Sequence, residues 1–102
     1  VRKLHDGTDF GVACGTAVHA AAAGTVVGRS RSSAYGKRII VRHQPGFETS
    51  YNHLSGQSVA IGDHVRRGEV IGRSGNTGLS TGCHLHFMVV NGGHSVDPAK
   101  YL

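Results

Sequence analysis

A chain of 102 residues with 11 basic and 6 acidic side chains supports one domain with a modest core. Its 16 glycines, its many Val, Ile and Thr residues and the lack of long helical periodicity predict an all-β fold. The formal net charge of +5 favours an anionic setting, such as a membrane surface, nucleic acid or a phosphate-rich cell wall. The few aromatic residues and the lack of a binding motif argue against nucleic acid, and no apolar stretch is long enough for membrane insertion.

The first half of the chain predicts short strands separated by turns. His5 to Asp9 surrounds an Asp6-Gly7 turn, and Ala17 to Val27 predicts two strands joined by a tight corner at Gly24. The basic, Ser-rich segment from Arg29 to Gly36 is typical of a loop. Lys37 to His43 and Phe47 to Leu54 predict a hairpin closed by a Pro45-Gly46 turn.

The second half of the chain also predicts short strands and turns, with a longer irregular loop before the last long strand. Val59 to Gly72 predicts short strands around turns, and the Gly, Ser, Thr and Asn residues of Arg73 to Gly82 predict an irregular loop. Cys83 to Val90 predicts a strand, Asn91-Gly92-Gly93 a turn, and Val96-Asp97-Pro98 a short C-terminal segment.

Histidines in the last long strand predict a metal centre. His84 and His86 are two residues apart, so they share one face of a strand while Cys83, Leu85 and Phe87 face the other way. His5 and Asp9 also share a face, because their offset is even in a strand and is one turn in a helix. Two imidazoles and a carboxylate make a three-ligand zinc site with one open position, and a further histidine then remains to move protons. This combination indicates a metallohydrolase.

The two cysteines, Cys14 and Cys83, form no C-x-x-C motif. They are compatible with a single disulfide in an oxidising compartment or with two buried thiols. A bridge would close a loop of about 70 residues and stabilise the fold by roughly 4 kcal/mol. A metal role for Cys83 is disfavoured, because its side chain faces away from the histidine pair.

The combined pattern resembles a known family. His5-x-x-x-Asp9, Tyr51-x-His53-Leu54 and Gly82-Cys83-His84-Leu85-His86-Phe87 together resemble the M23 peptidases, the lysostaphin-type or LytM-type zinc endopeptidases of peptidoglycan. The resemblance extends to Gly72-x-x-Gly75-x-x-Gly78 and to Val96-Asp97-Pro98, and it covers essentially the whole chain.

Carried onto this sequence, the resemblance implies that His5, Asp9 and His86 are the zinc ligands and that His84 and His53 are catalytic, with His84 preferred as general base. It implies a single antiparallel β-sheet domain over residues 1–102, of the duplicated-hybrid-motif type, with a zinc-floored groove walled by loops. We expect a monomer, excised from a longer precursor, that acts on peptidoglycan peptides. The expected location is extracellular, at the cell wall or in the periplasm, with a secreted host autolysin, a bacteriocin and a phage endolysin all open.

Several alternatives remain beside this interpretation. A non-catalytic wall-binding or amidase-activating module would keep the fold, although such relatives usually lack one or more ligands. A D-alanyl-D-alanine carboxypeptidase resembles His-x6-Asp rather than the His5 to Asp9 spacing, and a lipoyl-type carrier needs a lysine that the tip near Gly24 lacks. The bond cut stays open among Gly-Gly, D-Ala-Gly and D-Ala-diaminopimelate.

Other residues have weaker interpretations. Met88 stands where the family often has Glu, so we expect activity with an altered groove. Tyr51 is expected either to line the groove or to pack in a strand. Hydrogen-bonded or surface roles are expected for the remaining histidines, which are His19, His43, His64 and His94. A solvated face is expected for the basic set Arg29, Arg31, Lys37, Arg38 and Arg42.

Overall fold

The structure, a computed structural model, describes residues 8–77, 82–91 and 94–96, with side chains described for residues 11–77 and 82–90. Every regular element in these ranges is a β-strand, as predicted, and no helix there could cross a membrane. In chain order the strands are β1 Thr8–Gly11, β2 Ala17–His19, β3 Gly24–Ser32, β4 Gly36–Gln44, β5 Phe47–Gln57, β6 His64–Val65, β7 Val70–Ser74, β8 His84–Asn91 and β9 His94–Val96.

The strands form one antiparallel sheet in the order β1-β8-β5-β4-β3-β6. Strand β7 pairs with both β2 and β5, and β9 pairs with β8. The predicted hairpin is confirmed, because β4 and β5 pair across the Pro45-Gly46 turn from Gln44 and Phe47 onward. Strand β8 lies between β1 and β5, so it brings the N-terminal strand beside the middle of the chain.

Alternating side chains place the hydrophobic core on one face of this curled sheet. Ile39 and Val41 of β4 are fully buried there, and so is Val89 of β8. The cluster also includes Val18, Ala20, Val26, Tyr51, Leu54, Val59, Val65, Ile71 and Phe87. Because strand side chains alternate between faces, His84, His86 and Met88 lie on the face opposite Leu85, Phe87 and Val89.

Strand β5 changes its pairing partner in the middle. Residues Phe47–Asn52 pair with β8, whereas Leu54 to Gln57 pair with β7. His53 stands at the change of partner and has a left-handed backbone, with φ of +62°. Few residues other than glycine adopt this backbone, although histidine, asparagine and aspartate do so more often than the rest. The sheet therefore divides at a predicted site residue.

Two predicted loops need correction. The segment 29–36 is largely strand: Arg29 to Ser32 belong to β3 and pair with β4, so the turn covers only residues 33–35. The hydrogen bonds gained by continuing this ladder outweigh the polar composition that suggested a loop. Arg73 and Ser74 likewise belong to β7 rather than to a loop. Asn91 of the predicted Asn91-Gly92-Gly93 turn belongs to β8. The rest of that turn, the segment 78–81 and the C-terminal Asp97-Pro98 lie outside the described residues.

Candidate metal and catalytic centre

Strands β5 and β8 form a polar surface beside the core, which we call the histidine face. Its residues are His84, His86 and Met88 of β8 with Ser50 and Asn52 of β5. Ser50 stands opposite Met88 in the ladder, and Asn52 stands opposite His86. The Nδ2 of Asn52 donates a hydrogen bond to the backbone oxygen of His86 at 2.9 Å. This bond fixes the β8 backbone directly beneath the His86 side chain.

Three histidine rings converge on this face. The centroid of the His53 ring lies 5.0 Å from that of His84 and 5.9 Å from that of His86. His84 and His86 meet because strand side chains two residues apart point the same way. His53 joins them because its left-handed backbone reorients the chain where β5 leaves β8, and its N–H donates to the Tyr35 oxygen at 2.7 Å. The predicted grouping of these three histidines is therefore present in the structure.

Backbone carbonyls orient two of the rings and set their tautomer. The Nδ1 of His53 lies 2.6 Å from the Thr77 oxygen, and the Nδ1 of His84 lies 2.9 Å from the Gly82 oxygen. A carbonyl oxygen can only accept, so each ring donates from Nδ1. In the neutral ring the lone pair is then at Nε2, the arrangement that suits either a base or a metal ligand.

Thr77 is a supporting residue that was not predicted from the sequence. Its Oγ1 donates to the Leu54 oxygen at 2.6 Å and accepts from the Lys37 N–H at 3.0 Å, while its carbonyl holds His53. Gly36, with φ of +64°, makes this approach possible, because a Cβ at that position would collide with Thr77. The sequence predicted only an irregular loop over the stretch that contains Thr77, and the contact of Thr77 with His53 gives the loop a specific role.

The structure describes the three predicted ligands to different extents. His86 is placed on the histidine face, and the backbone of Asp9 stands opposite it in the β1–β8 ladder. The Asp9 side chain and the whole of His5 lie outside the described residues. Among the side chains that are described, no group of three or more His, Cys, Asp and Glu is close enough to hold a metal ion. The described side chains of this face that could contribute to a larger ligand set are imidazoles, which are nitrogen ligands that zinc accepts.

The remaining predicted residues have structural roles. Cys14 and Cys83 form a disulfide with a Cα–Cα distance of 5.1 Å, so Cys83 is no ligand. Tyr51 is a packed core residue, 1% exposed, whose ring lies beside Phe87. His19, His43 and His64 are hydrogen-bonded through Nδ1 to Gly68, Ala23 and Thr25, as expected, and the His94 side chain lies outside the described set.

Comparison with known proteins identifies the family. The sequence profile of Peptidase family M23 matches residues 3–98. The chain therefore belongs to Peptidase family M23, as its motifs had indicated.

Individual relatives extend this result. A DD-carboxypeptidase/endopeptidase, Mpg, of Neisseria meningitidis is 46% identical over 98 residues, covering 96% of this chain and 23% of that protein. The catalytic domain of the antimicrobial peptidase lysostaphin from Staphylococcus simulans superposes with a TM-score of 0.88 at 38% identity, covering 95% of this chain and 77% of that one. A zinc-containing peptidase from Vibrio cholerae superposes with a TM-score of 0.88 at 35% identity, covering 91% of this chain and 29% of that one. The chain thus spans about a quarter of the length of Mpg.

Proposed function

We propose that this chain is the catalytic domain of a zinc endopeptidase that hydrolyses peptide bonds in the cross-links or stem peptides of bacterial peptidoglycan. The observation that carries the proposal is the convergence of His53, His84 and His86, two of them held in one tautomer by backbone carbonyls. Membership of Peptidase family M23 and the relatives named for DD-endopeptidase activity and for zinc support the substrate class and the metal. The setting we propose is the cell wall or the periplasm.

His5, Asp9 and His86 are the residues that would hold the metal. The ladder supports this set, because the Asp9 backbone stands opposite His86, and a carboxylate with imidazoles is an oxygen and nitrogen donor set that suits zinc. Zinc, when bound, lowers the pKa of water to about 7 and polarises the scissile carbonyl. The hydrogen bond from Asn52 would keep the His86 backbone fixed while the ligands assemble.

His84 and His53 would move the proton. With Nδ1–H donated to Gly82, the Nε2 of a neutral His84 accepts a proton from the attacking water and later delivers it to the leaving amine. His53 has the same tautomer through Thr77, so its neutral ring can share this transfer at Nε2. Only after it is protonated could His53 donate to the developing oxyanion.

The experiment that tests the function is digestion of purified peptidoglycan of two types, glycine-bridged and directly cross-linked. Each wall is incubated with and without a zinc chelator, and the released fragments are identified by mass spectrometry. We expect chelator-sensitive release of peptides from at least one wall. No release from either wall by a preparation with bound zinc would reject the endopeptidase and favour a non-catalytic wall-binding module.

Three variants separate the roles of the histidines. We expect His86→Ala to lose zinc, because two remaining ligands hold the ion poorly, and the loss is measured by metal analysis. His84→Ala should retain zinc and lose turnover by at least about 100-fold, the usual share of a general base. His64→Ala, a change at an exposed histidine on β6, is the control that should keep both. Full activity of His84→Ala would contradict its assignment as base.

A further inference from the structure

Arg38 of β4 reaches over the histidine face, although the basic set to which it belongs in the sequence predicts a solvated face. Its Nε donates to the Ser50 Oγ at 2.9 Å, and its Nη2 lies 3.8 Å from the Met88 sulfur. The guanidinium carbon lies 4.3 Å from the centre of the Tyr35 ring, a cation–π distance. Arg38 is half-buried, whereas Ser50 and Met88 beneath it are only 2% and 8% exposed. The guanidinium is therefore held in one orientation on this surface.

The held guanidinium retains hydrogen-bonding capacity. Arginine has five N–H donors, and the contacts of Arg38 use one in a strong bond and one toward a thioether, which is a weak acceptor. Burial lowers the pKa of Arg38, and the nearby Tyr35 partly opposes that effect. A guanidinium that has lost part of its water binds a carboxylate well, because two parallel N–H groups match the two oxygens.

The described carboxylates have other partners. Glu48 accepts from both Nε and Nη2 of Arg42, at 3.1 and 2.9 Å, on the same hairpin. Asp63 accepts from the Ala60 N–H, and Glu69 accepts from the Arg66 N–H. Arg42 and Arg38 thus lie on one strand four residues apart, but only Arg42 is ion-paired within the part of the chain whose side chains are described.

Arg38 is close to the proposed reaction centre along the sheet. Its partner Ser50 pairs with Met88, which is two residues from His86, a separation of about 7 Å in a strand. The Ser50 Oγ in turn donates to Asn52 at 3.1 Å, and Asn52 holds the His86 backbone. A group bound by Arg38 would therefore lie within about one or two residues of a bond cut beside His86.

We propose that Arg38 determines specificity by binding a free carboxylate that the peptide substrate carries next to the bond that is cut. This inference rests on the proposed endopeptidase function and makes it more specific. A glycine bridge offers no such carboxylate, whereas a direct D-alanyl-diaminopimelate cross-link has a free carboxylate on the carbon that bears its amide nitrogen. Arg38 therefore favours direct cross-links among the bonds that the sequence left open.

The test uses two synthetic peptides joined by a D-alanyl-diaminopimelate bond. They differ only in the diaminopimelate carboxyl on the carbon that bears the amide nitrogen, which is a carboxylate in one peptide and a carboxamide in the other. We expect wild-type kcat/KM to favour the carboxylate by roughly 10- to 100-fold, the range for a charge-assisted hydrogen bond. Arg38→Gln should lose this preference by slowing cleavage of the carboxylate peptide alone.

Two further variants distinguish recognition from a structural role. Arg42→Gln removes the same charge from the same strand, and it should leave the preference intact. Met88→Glu keeps Arg38 but places a carboxylate where the sulfur now contacts Nη2, so the new ion pair should remove the preference. Thermal unfolding followed by circular dichroism checks that each variant is folded.

The outcomes are separable. Equal losses on both peptides in Arg38→Gln would overturn the proposal in favour of a structural role, and so would a wild type that cuts both peptides equally. If the wild type cuts neither peptide, the endopeptidase proposal fails for this bond. Calorimetric binding of the two peptides then tests Arg38 independently, and equal affinities would overturn its role.

Discussion

His53 shows how a single residue can combine a position in the proposed site with an unfavourable backbone. Its φ of +62° costs about 1–2 kcal/mol for a residue with a Cβ. The cost is offset by hydrogen bonds on both sides, since its N–H donates to Tyr35 and its Nδ1 to Thr77. Strained residues of this kind cluster at functional sites, where the surrounding structure fixes them.

The strain at His53 predicts a difference in stability between two variants that lack the imidazole. His53→Ala and His53→Gly both lose the imidazole, but only glycine adopts positive φ without steric cost. We expect His53→Gly to have a free energy of unfolding about 1 kcal/mol higher than His53→Ala, measured by urea denaturation. Equal values for the two variants would show that this backbone is not left-handed in solution.

Single residues were predictable where strand alternation governs them. The two-residue spacing placed His84 and His86 on one face and Leu85 and Phe87 on the other, and the structure agrees. Arg38 was not predictable, because composition cannot show which side chain of a basic segment folds over its neighbours. Its orientation depends on contacts with Ser50 of β5, Met88 of β8 and Tyr35 in the turn before β4.

Among the elements, β5 was predicted as a strand, but its successive pairing with β8 and β7 was not predicted. The hairpin with β4 follows from the Pro45-Gly46 turn, which is a local signal. The change of partner from β8 to β7 at His53 depends on segments that are distant in sequence. Pairing between distant strands is decided by tertiary packing, so no local pattern predicts it.

A chain of hydrogen bonds crosses the buried side of β5. The Nδ1 of His43 donates to the Ala23 oxygen, and the hydroxyl of Thr49 donates to the His43 Nε2 at 2.8 Å. The Tyr51 hydroxyl then donates to Thr49 at 2.7 Å and accepts from the Ala21 N–H at 2.9 Å. Burial raises the pKa of Tyr51, while its bonds to Thr49 and Ala21 lower it in part.

Removing the middle of this chain should destabilise the fold without a change of volume. Thr49→Val is nearly isosteric, but it leaves the Tyr51 hydroxyl without an acceptor and His43 without a donor. We expect the free energy of unfolding to fall by about 1–3 kcal/mol, the cost of buried unsatisfied polar groups, measured by urea denaturation. Thr49→Ser is the matched control, since it keeps the hydroxyl. A Val variant as stable as the wild type would mean that the chain of bonds contributes nothing.

At the scale of the whole molecule, the disulfide joins the segment before β2 to the segment before β8. Cys14 precedes β2, and Cys83 directly precedes His84, at a sequence separation of 69 residues. Ser74 binds the same segment, because its Oγ donates to the Ala13 oxygen and accepts from the Thr16 N–H. Sequence alone left the thiol and the disulfide open, since a bridge requires a spatial proximity that spacing does not reveal.

Removal of this bridge should lower global stability. We expect Cys14→Ser/Cys83→Ser to reduce the free energy of unfolding by about 2–4 kcal/mol, because the unfolded chain regains the freedom that the loop had lost. Urea denaturation with and without dithiothreitol measures this effect. The reductant should shift the wild type toward the double variant and leave the variant unchanged, and identical curves for all four samples would contradict the prediction.

The position of Cys83 beside His84 has a consequence for how the protein is prepared. Protein made in a reducing cytosol starts with both cysteines as thiols. The disulfide that holds the segment before β8 therefore forms only on exposure to an oxidant. A batch can then contain two species of equal sequence and nearly equal mass that differ in how firmly the first residues of β8 are held. Titration of free thiols, recorded beside every specific activity, would distinguish a weak enzyme from an incompletely oxidised one.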